Sequence, residues 1–369
     1  MNEDRPTALQ TSIAGNTPNL PLVIGIDIGG TQIRTAVLRG STLLSRVRLG
    51  TGEQPPPDRT IPRIFTAIQQ ALAEAHTSLT QIAGIGIATP GPLNNRTGVV
   101  YNPPNLPGWK GVPLRDIFVQ QFNIPVFVEN DANTAGLGEY MFGAGQGSNT
   151  MVYLTISTGI GGGVIIDGKI LEGASGTAGE LGHMSIDWHG QRCTCGNYGC
   201  LEALASGTAI ARRANEAIRA GQGIELLTFA RTMLEHSDVV PNQAALPTTE
   251  ATEYDQVQGT EEPILVNTRT VALAADAGVP LARTIITNAA EALGAGLVNI
   301  IHIFNPELIV LGGGVTQMGA LLMEPALRVI QERTMKAPRE DVRIVLAQLG
   351  AEVGLIGAGA LIYYYNRGM

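Results

Sequence analysis

The stretch LVIGIDIGGTQIRTAVLRGSTLLSRVRL, residues 22–49, decides the fold, because MVYLTISTGIGGGVIIDGKILEG, residues 151–173, repeats its plan. Each opens on a short apolar run rich in Val, Ile or Leu, breaks at a glycine turn and continues as two further β-rich runs. Such runs closed by glycine predict strand, tight turn, strand, strand. STGIGGG stands in the second copy where DIGGT stands in the first. Two meanders of one plan, each followed by helical segments and more apolar strands, predict a duplicated α/β chain.

Outward from the repeats, AGIGIATPGPLN, VFVEN, ELIVLGGGV and RIVLAQL read as buried strands. Helices are expected near 61–77, 114–122, 131–142, 207–220, 225–235, 280–299 and 353–367. The helix from Pro280 carries alanine and leucine on several faces, so it should be well buried. Residues 1–20 are expected to form a disordered tail, and 237–265, polar and rich in Thr, Glu and Gln, a mobile insertion.

With 369 residues, 44% of them hydrophobic, the chain has ample material for a core and for two domains. Lys+Arg 24 against Asp+Glu 32 gives a net charge of −8 with no basic run, which argues against nucleic-acid binding by bulk charge. The first residues lack an apolar signal core. No stretch reads as the roughly 20 apolar residues that a membrane span needs. Three cysteines do not make a disulfide framework, so a reducing cytoplasm is expected.

The glycine turns suggest chemistry. Glycines bring backbone N–H groups close to an anion, so Gly29 and Gly30, with the Thr31 hydroxyl, suit phosphate, and Asp27 suits Mg²⁺. STGIGGG offers a second such loop, so that two loops clamp one polyphosphate. Neither is a Walker A loop, since no Gly-Lys-Ser/Thr follows, nor a dinucleotide fingerprint, since a strand follows. Gly312, Gly313 and Gly314 end another apolar strand, where open α/β sheets take ligands. In VENDAN, Asp131 is a candidate general base toward a sugar hydroxyl, with Asn130 beside it; helix capping is the plain alternative. Asn105, in a proline-rich loop, suits sugar hydroxyls, with Trp109 as an apolar wall; turn chemistry and a packing tryptophan are the alternatives.

All three cysteines fall in GELGHMSIDWHGQRCTCGNYGCLE, residues 179–202. Cys193, Cys195 and Cys200 among glycines suit one soft tetrahedral cation, zinc above all. His183 is the natural fourth ligand, and His189, nearer in sequence, competes with it. Glu180 and Glu202 flank this loop and suit hydroxyl groups, which makes a polyol the expected ligand.

Taken together, DIGGT, ATPGPLN, PNLPGW, VENDANTAGLGE, STGIGGG, GELGHM, CTCGNYGCLE and ELIVLGGGV, in this order from Val23 to Tyr365, resemble the ROK family of sugar kinases and repressors. The likeness is greatest to those members that phosphorylate glucose. It implies an actin-like ATPase (ribonuclease H-like) fold with two duplicated lobes around an interdomain cleft. The lobes would be 21–130, to which a closing helix at 353–367 returns, and 131–352, with the zinc loop at 183–200. It implies Asp131 as the base for the 6-hydroxyl, and Gly91, Asn105, Asn130, Asp131, Glu180, His183 and Glu202 around the sugar. Asp27, Gly29, Gly30, Thr31, Thr158 and Gly159 would hold the phosphates of ATP with Mg²⁺, and Gly313 would lie near the adenosine. His183, Cys193, Cys195 and Cys200 would hold a structural Zn²⁺, which favours His183 over His189. A cytoplasmic glucose kinase, homodimeric or homotetrameric, is the reading implied. Another hexose (N-acetylmannosamine, N-acetylglucosamine, mannose, fructose or allose) or polyphosphate as donor is the alternative. A sugar-sensing repressor is disfavoured, since the polar residues before Leu22 do not supply a DNA-binding domain. One departure is the acidic segment at 224–265, longer than the helical hairpin usual there.

Overall fold

Two units divide the chain in the computed structural model, which describes residues 19–50, 56–235 and 266–366. The first unit comprises Met1–Asn149, Ile165–Ala178 and Ala347–Met369; the second comprises Thr150–Val164 and Gly179–Leu346. The expected insertion at 237–265, and the expected tail but for residues 19 and 20, lie outside the described residues.

In the first unit, β1 (Leu22–Ile28), β2 (Gln32–Arg39), β3 (Thr42–Leu43) and β4 (Val47–Gly50) form the meander. Then come α1 (Pro57–Glu74), β5 (Ile82–Thr89), a small sheet of β6 (Leu93–Asn94), β7 (Val99–Tyr101) and β8 (Lys110–Pro113), α2 (Leu114–Phe122), β9 (Val126–Asn130) and α3 (Asp131–Phe142). The main sheet runs β3-β2-β1-β5-β9, with β4 beside β2. β1 lies antiparallel to β2 but parallel to β5, and β5 parallel to β9, pairing Asp27 with Ala88 and Thr89 with Asn130. Three parallel strands therefore end on one edge, where Gly29-Gly30, Pro90-Gly91 and Asn130-Asp131 leave the sheet together. α1 starts at Pro57, one turn before the expected Ile61, because proline fits the first turn of a helix rather than only breaking one. It buries Ile61, Ile64, Ala67, Ile68 and Ala71 against the sheet's apolar face.

The second half of the chain repeats the order. Its meander is β10 (Met151–Ile156), β11 (Ile160–Ile166) and β12 (Lys169–Ile170), of which the residues from Ile165 onward group with the first unit instead of the second lobe expected over 131–352. In the second unit α4 (Leu201–Ala205), α5 (Gly207–Arg219), α6 (Ile224–Glu235), α7 (Thr268–Asp276) and α8 (Pro280–Phe304) follow. β13 (Leu308–Gly312), α9 (Ala320–Arg333), α10 (Lys336–Asp341) and β14 (Arg343–Leu346) complete it. The second sheet runs β12-β11-β10-β13-β14, with β10, β13 and β14 parallel, the same succession as β3-β2-β1-β5-β9. α8 is long and apolar enough by length and composition to cross a bilayer, which the sequence reading did not credit to any stretch. Packing accounts for that apolarity: α8 lies against α9, α4, α7 and α5 and buries residues from Ala282 to Ile301.

The chain returns to the first unit as α11 (Val353–Tyr365), seated on β1, β5 and α3. The seat is made of glycines. A Cβ at Gly25 would overlap the Leu355 carbonyl oxygen, and one at Gly86 the Ala358 carbonyl. The boundary expected before residue 131 falls instead after Asn149, so α3 belongs to the first unit. Two contacts put it there. Gly138 meets the Gly357 backbone, a Cβ being 3.1 Å away, and the buried Glu139 Oε1 accepts the N–H of Gln348 at 2.9 Å and of Leu349 at 2.8 Å. Gly86→Ala should therefore destabilise by roughly 3 kcal/mol, since helix and sheet must separate to admit the methyl. Denaturant unfolding checks this, and a stability within about 0.5 kcal/mol of wild type would contradict the close seat.

Candidate active site

At the carboxyl edge of the first unit's sheet, Asp131 is the first residue of α3 and stands exposed. Asn130 is the N-cap: its Oδ1 accepts the N–H of Ala132 at 2.9 Å and of Asn133 at 3.3 Å, satisfying donors that every helix start leaves open. The capping alternative thus applies to Asn130, while Asp131 sits just beyond it. Asp131 Oδ1 also accepts the Ala132 N–H, at 2.8 Å. Gly91 is next to Asn130, since a Cβ there would lie 3.4 Å from Asn130 Nδ2. Gly30 is next to Asn105, a Cβ there lying 3.1 Å from the Asn105 Cβ. Loop and turn thus meet within one unit, with Thr31 and Asn105 exposed.

One residue of this unit differs from expectation, and a second has a partner that the sequence did not show. Trp109 is fully buried among Val100, Leu106, Val112 and Phe118, so it is core and not a wall for a ligand. Asp27 is nearly buried and pairs with Arg34, which also donates to the Ala351 carbonyl. That guanidinium would compete with any cation brought to the Asp27 carboxylate.

Glu129, to which no role was given from sequence, is fully buried at the end of β9. Its Oε1 accepts from the Asn130 backbone N–H at 2.9 Å and from Asn133 Nδ2 at 3.2 Å; its Oε2 accepts from Asn95 Nδ2 at 3.0 Å. Burial pushes its carboxyl pKa up, these donors pull it down, and the nearby Glu172 charge adds a smaller upward push. The only sign of it in the sequence is one acid in the apolar run VFVEN.

In the second unit the STGIGGG turn links β10 to β11. α5 begins against it, with Gly207 N–H donating to the Ser157 carbonyl at 2.8 Å and Thr208 N–H to the Thr158 carbonyl at 3.2 Å. Gly313, at φ 90°, lies so close to Ile156 that a Cβ would overlap the Ile156 carbonyl oxygen. No other residue fits there, so the β13 turn and the Thr158-Gly159 turn are held side by side.

Four ligand atoms of His183, Cys193, Cys195 and Cys200 lie within 4.8 Å of one another. Cys193 Sγ is 3.7 Å from His183 Nδ1, and Cys195 Sγ is 3.7 Å from Cys200 Sγ. A zinc tetrahedron with Zn–S near 2.3 Å has an S···S edge of about 3.8 Å. Donor set and spacing both fit that ion. The loop closes because Gly199, with φ 64°, passes where a side chain would overlap the Asp187 carbonyl. Burial raises the Cys193 thiol pKa and pushes that of Cys200 up to about 12, so the thiolates need a cation nearby. His189 is outside the cluster: it is exposed and lies against Trp188, ring centroids 4.1 Å apart and planes tilted by 36°.

The two acids beside the loop differ. Glu180 is exposed, with Oε2 4.0 Å from His183 Nε2, the ring nitrogen facing away from Cys193. Glu202 Oε2 accepts the Ile160 N–H at 2.8 Å, and its Oε1 is 3.9 Å from Cys193 Sγ. Glu202 thus ties the cysteine loop to the STGIGGG turn, a link that sequence spacing did not reveal.

The model of the ROK family matches residues 23–364. The glucokinase of Halalkalibacterium halodurans is 34% identical over 348 residues, covering 94% of this chain and 96% of that protein. The xylose repressor of Caldicellulosiruptor bescii is 30% identical over 361 residues, 97% of this chain and 81% of the repressor. Among solved structures, a ROK family glucokinase from Streptomyces griseus in complex with glucose and AMPPNP matches with a TM-score of 0.71 at 32% identity, covering 92% of this chain and 98% of that chain.

Proposed function

Because the chain belongs to the ROK family and has its actin-like ATPase fold, we propose that it is a glucokinase, transferring the γ-phosphoryl group of ATP to the 6-hydroxyl of glucose. The observation that carries this reading is the exposed carboxylate of Asp131, set by the Asn130 cap at the sheet edge beside Gly91. Asp131 takes the proton of the 6-hydroxyl as its oxygen bonds to the γ-phosphorus; the bond from that phosphorus to the β–γ bridging oxygen breaks, and ADP leaves. Gly91, Asn105, Asn130, Glu180, His183 and Glu202 hold the sugar. Backbone N–H groups of Gly29, Gly30 and Gly159, with the Thr31 and Thr158 hydroxyls, meet the phosphates, and Gly313 lies near the adenosine. Mg²⁺, when bound, would neutralise phosphate charge, and Asp27, released from Arg34, would be the carboxylate to hold it.

His183, Cys193, Cys195 and Cys200 would hold Zn²⁺. Four protein ligands leave no open position, so its part is to order the loop that carries Glu180 and Glu202. A cytoplasmic homodimer or homotetramer completes the proposal.

A coupled assay with Mg-ATP against hexoses and N-acetylhexosamines tests the substrate. Turnover highest on glucose is the expected result; highest turnover on another sugar would overturn the substrate and keep the kinase. The repressor among the relatives favours a second reading, a sugar-sensing DNA-binding protein. A gel shift at low salt should show no retained DNA; retention together with absent turnover would favour the repressor.

A further inference from the structure

Phosphoryl transfer as described above leaves Glu129 unused, yet this fully buried carboxylate stands directly before Asn130 and Asp131. Its three donors come from three places. The Asn130 N–H belongs to the end of β9, Asn133 Nδ2 to the first turn of α3, and Asn95 Nδ2 to the connection between β6 and β7. Asn130 in turn caps α3 through its side chain and accepts the Thr134 hydroxyl on its carbonyl at 2.6 Å. Strand end, helix start and hairpin therefore converge on one side chain. An apolar residue of the same size would leave three donors, one buried and two part-buried, without this acceptor, and burying a carboxylate for packing alone is unfavourable.

We propose that Glu129 is the positioning residue of the phosphoryl-transfer site, fixing the direction in which β9 delivers Asn130 and Asp131 through the three hydrogen bonds it accepts. This rests on the kinase reading. Around Glu129, Tyr365 stacks on Phe127 with ring centroids 4.7 Å apart and donates to Glu172 Oε1 at 3.2 Å. Arg96 pairs with Glu172 at 3.5 Å rather than with Glu129. The carboxylate is thus held by amides alone among the described residues, which makes its geometry and not an ion pair the working feature.

A second detail separates positioning from bulk packing. Asn95 Oδ1 and Asn133 Oδ1 are both buried without a hydrogen-bond partner. In Glu129→Gln, the new Oε1 keeps the Asn130 N–H and the Asn133 amide, and the new NH₂, in the Oε2 position, finds an acceptor once the Asn95 amide turns over. Glu129→Leu offers no acceptor at all, and Glu129→Asp keeps the charge but falls one methylene short.

The experiment measures kcat and KM for glucose on wild type and these three variants, with unfolding midpoints for each. Misplacing a catalytic group by about 1 Å costs on the order of 100-fold, so Glu129→Leu should lose about 100-fold in kcat, with KM changed by much less. Glu129→Asp should lose about 10-fold or more, and Glu129→Gln should stay within about 5-fold of wild type. Leu or Asp variants that are folded and keep wild-type kcat would overturn the proposal. So would a Gln variant that falls as far as Leu. If the Leu variant does not fold, the Asp and Gln pair decides by the same criteria. Absent turnover by the wild-type protein would instead overturn the kinase reading, and this proposal with it.

Discussion

Asp131→Asn is expected to lower kcat for glucose by about 1,000-fold while glucose still binds within a few-fold of its wild-type affinity. The substitution removes the proton acceptor and one negative charge while keeping the size of the side chain. Asn keeps an oxygen that can take the Ala132 N–H, now accepted at 2.8 Å, and Asn130 still caps α3. Loss of one negative charge at the helix start costs about 0.5 kcal/mol, too little to disturb the fold. Sugar contacts assigned to Asn105, Asn130 and Glu180 are untouched, so binding energy survives where catalysis does not. Steady-state kinetics together with calorimetric titration of glucose make the comparison. Turnover within 10-fold of wild type would remove Asp131 from the role of base.

Zinc should have the second large effect. Chelating the metal, or making Cys195→Ser, is expected to weaken glucose binding by about 100-fold or more, with restoration on adding zinc back to the chelated protein. Cys195 is exposed, so serine opens no cavity and its effect reports on ligation alone. Without the ion, the loop is left to its hydrogen bonds, among them Cys193 N–H to the Asn197 carbonyl at 2.7 Å and Gly199 N–H to the Gln191 carbonyl at 2.8 Å, neither of which fixes the cysteine side chains. Glu180 and Glu202 depend on that loop for their placement, whereas the packing of α8 with α9 and α7 does not involve it. Far-ultraviolet circular dichroism should therefore change little as affinity falls. Equal affinity before and after metal removal would count against the site.

What could be read from the sequence was what depends on local pattern. DIGGT and STGIGGG mark turns because glycine and β-branched runs act within a few residues, and the two matching sheet orders follow from them. The cysteine loop was legible because ligands so close in sequence have few other uses. Long-range packing was not legible. Trp109 faces the core rather than a ligand, and nothing in NLPGW states which side it takes. α3 joins the first unit through Gly138 against Gly357 and through Glu139, contacts that span most of the chain. Glu129 and the tie from Glu202 to Ile160 were hidden for the same reason: hydrogen bonds between distant residues leave no periodicity.

The glycine seat of α11 also orders events in time. Nascent protein leaves the ribosome from its N-terminus, and the chain departs the first unit at Asn149 and comes back to stay only at Ala347. At about 5–20 residues per second, β1 and β5 wait on the order of ten seconds or more for the helix that covers Gly25 and Gly86. The second unit, emerging in between, receives most of its own strands and helices before the first is finished. The unit synthesised first is therefore the last to close, and its uncovered sheet face is what a chaperone would meet meanwhile.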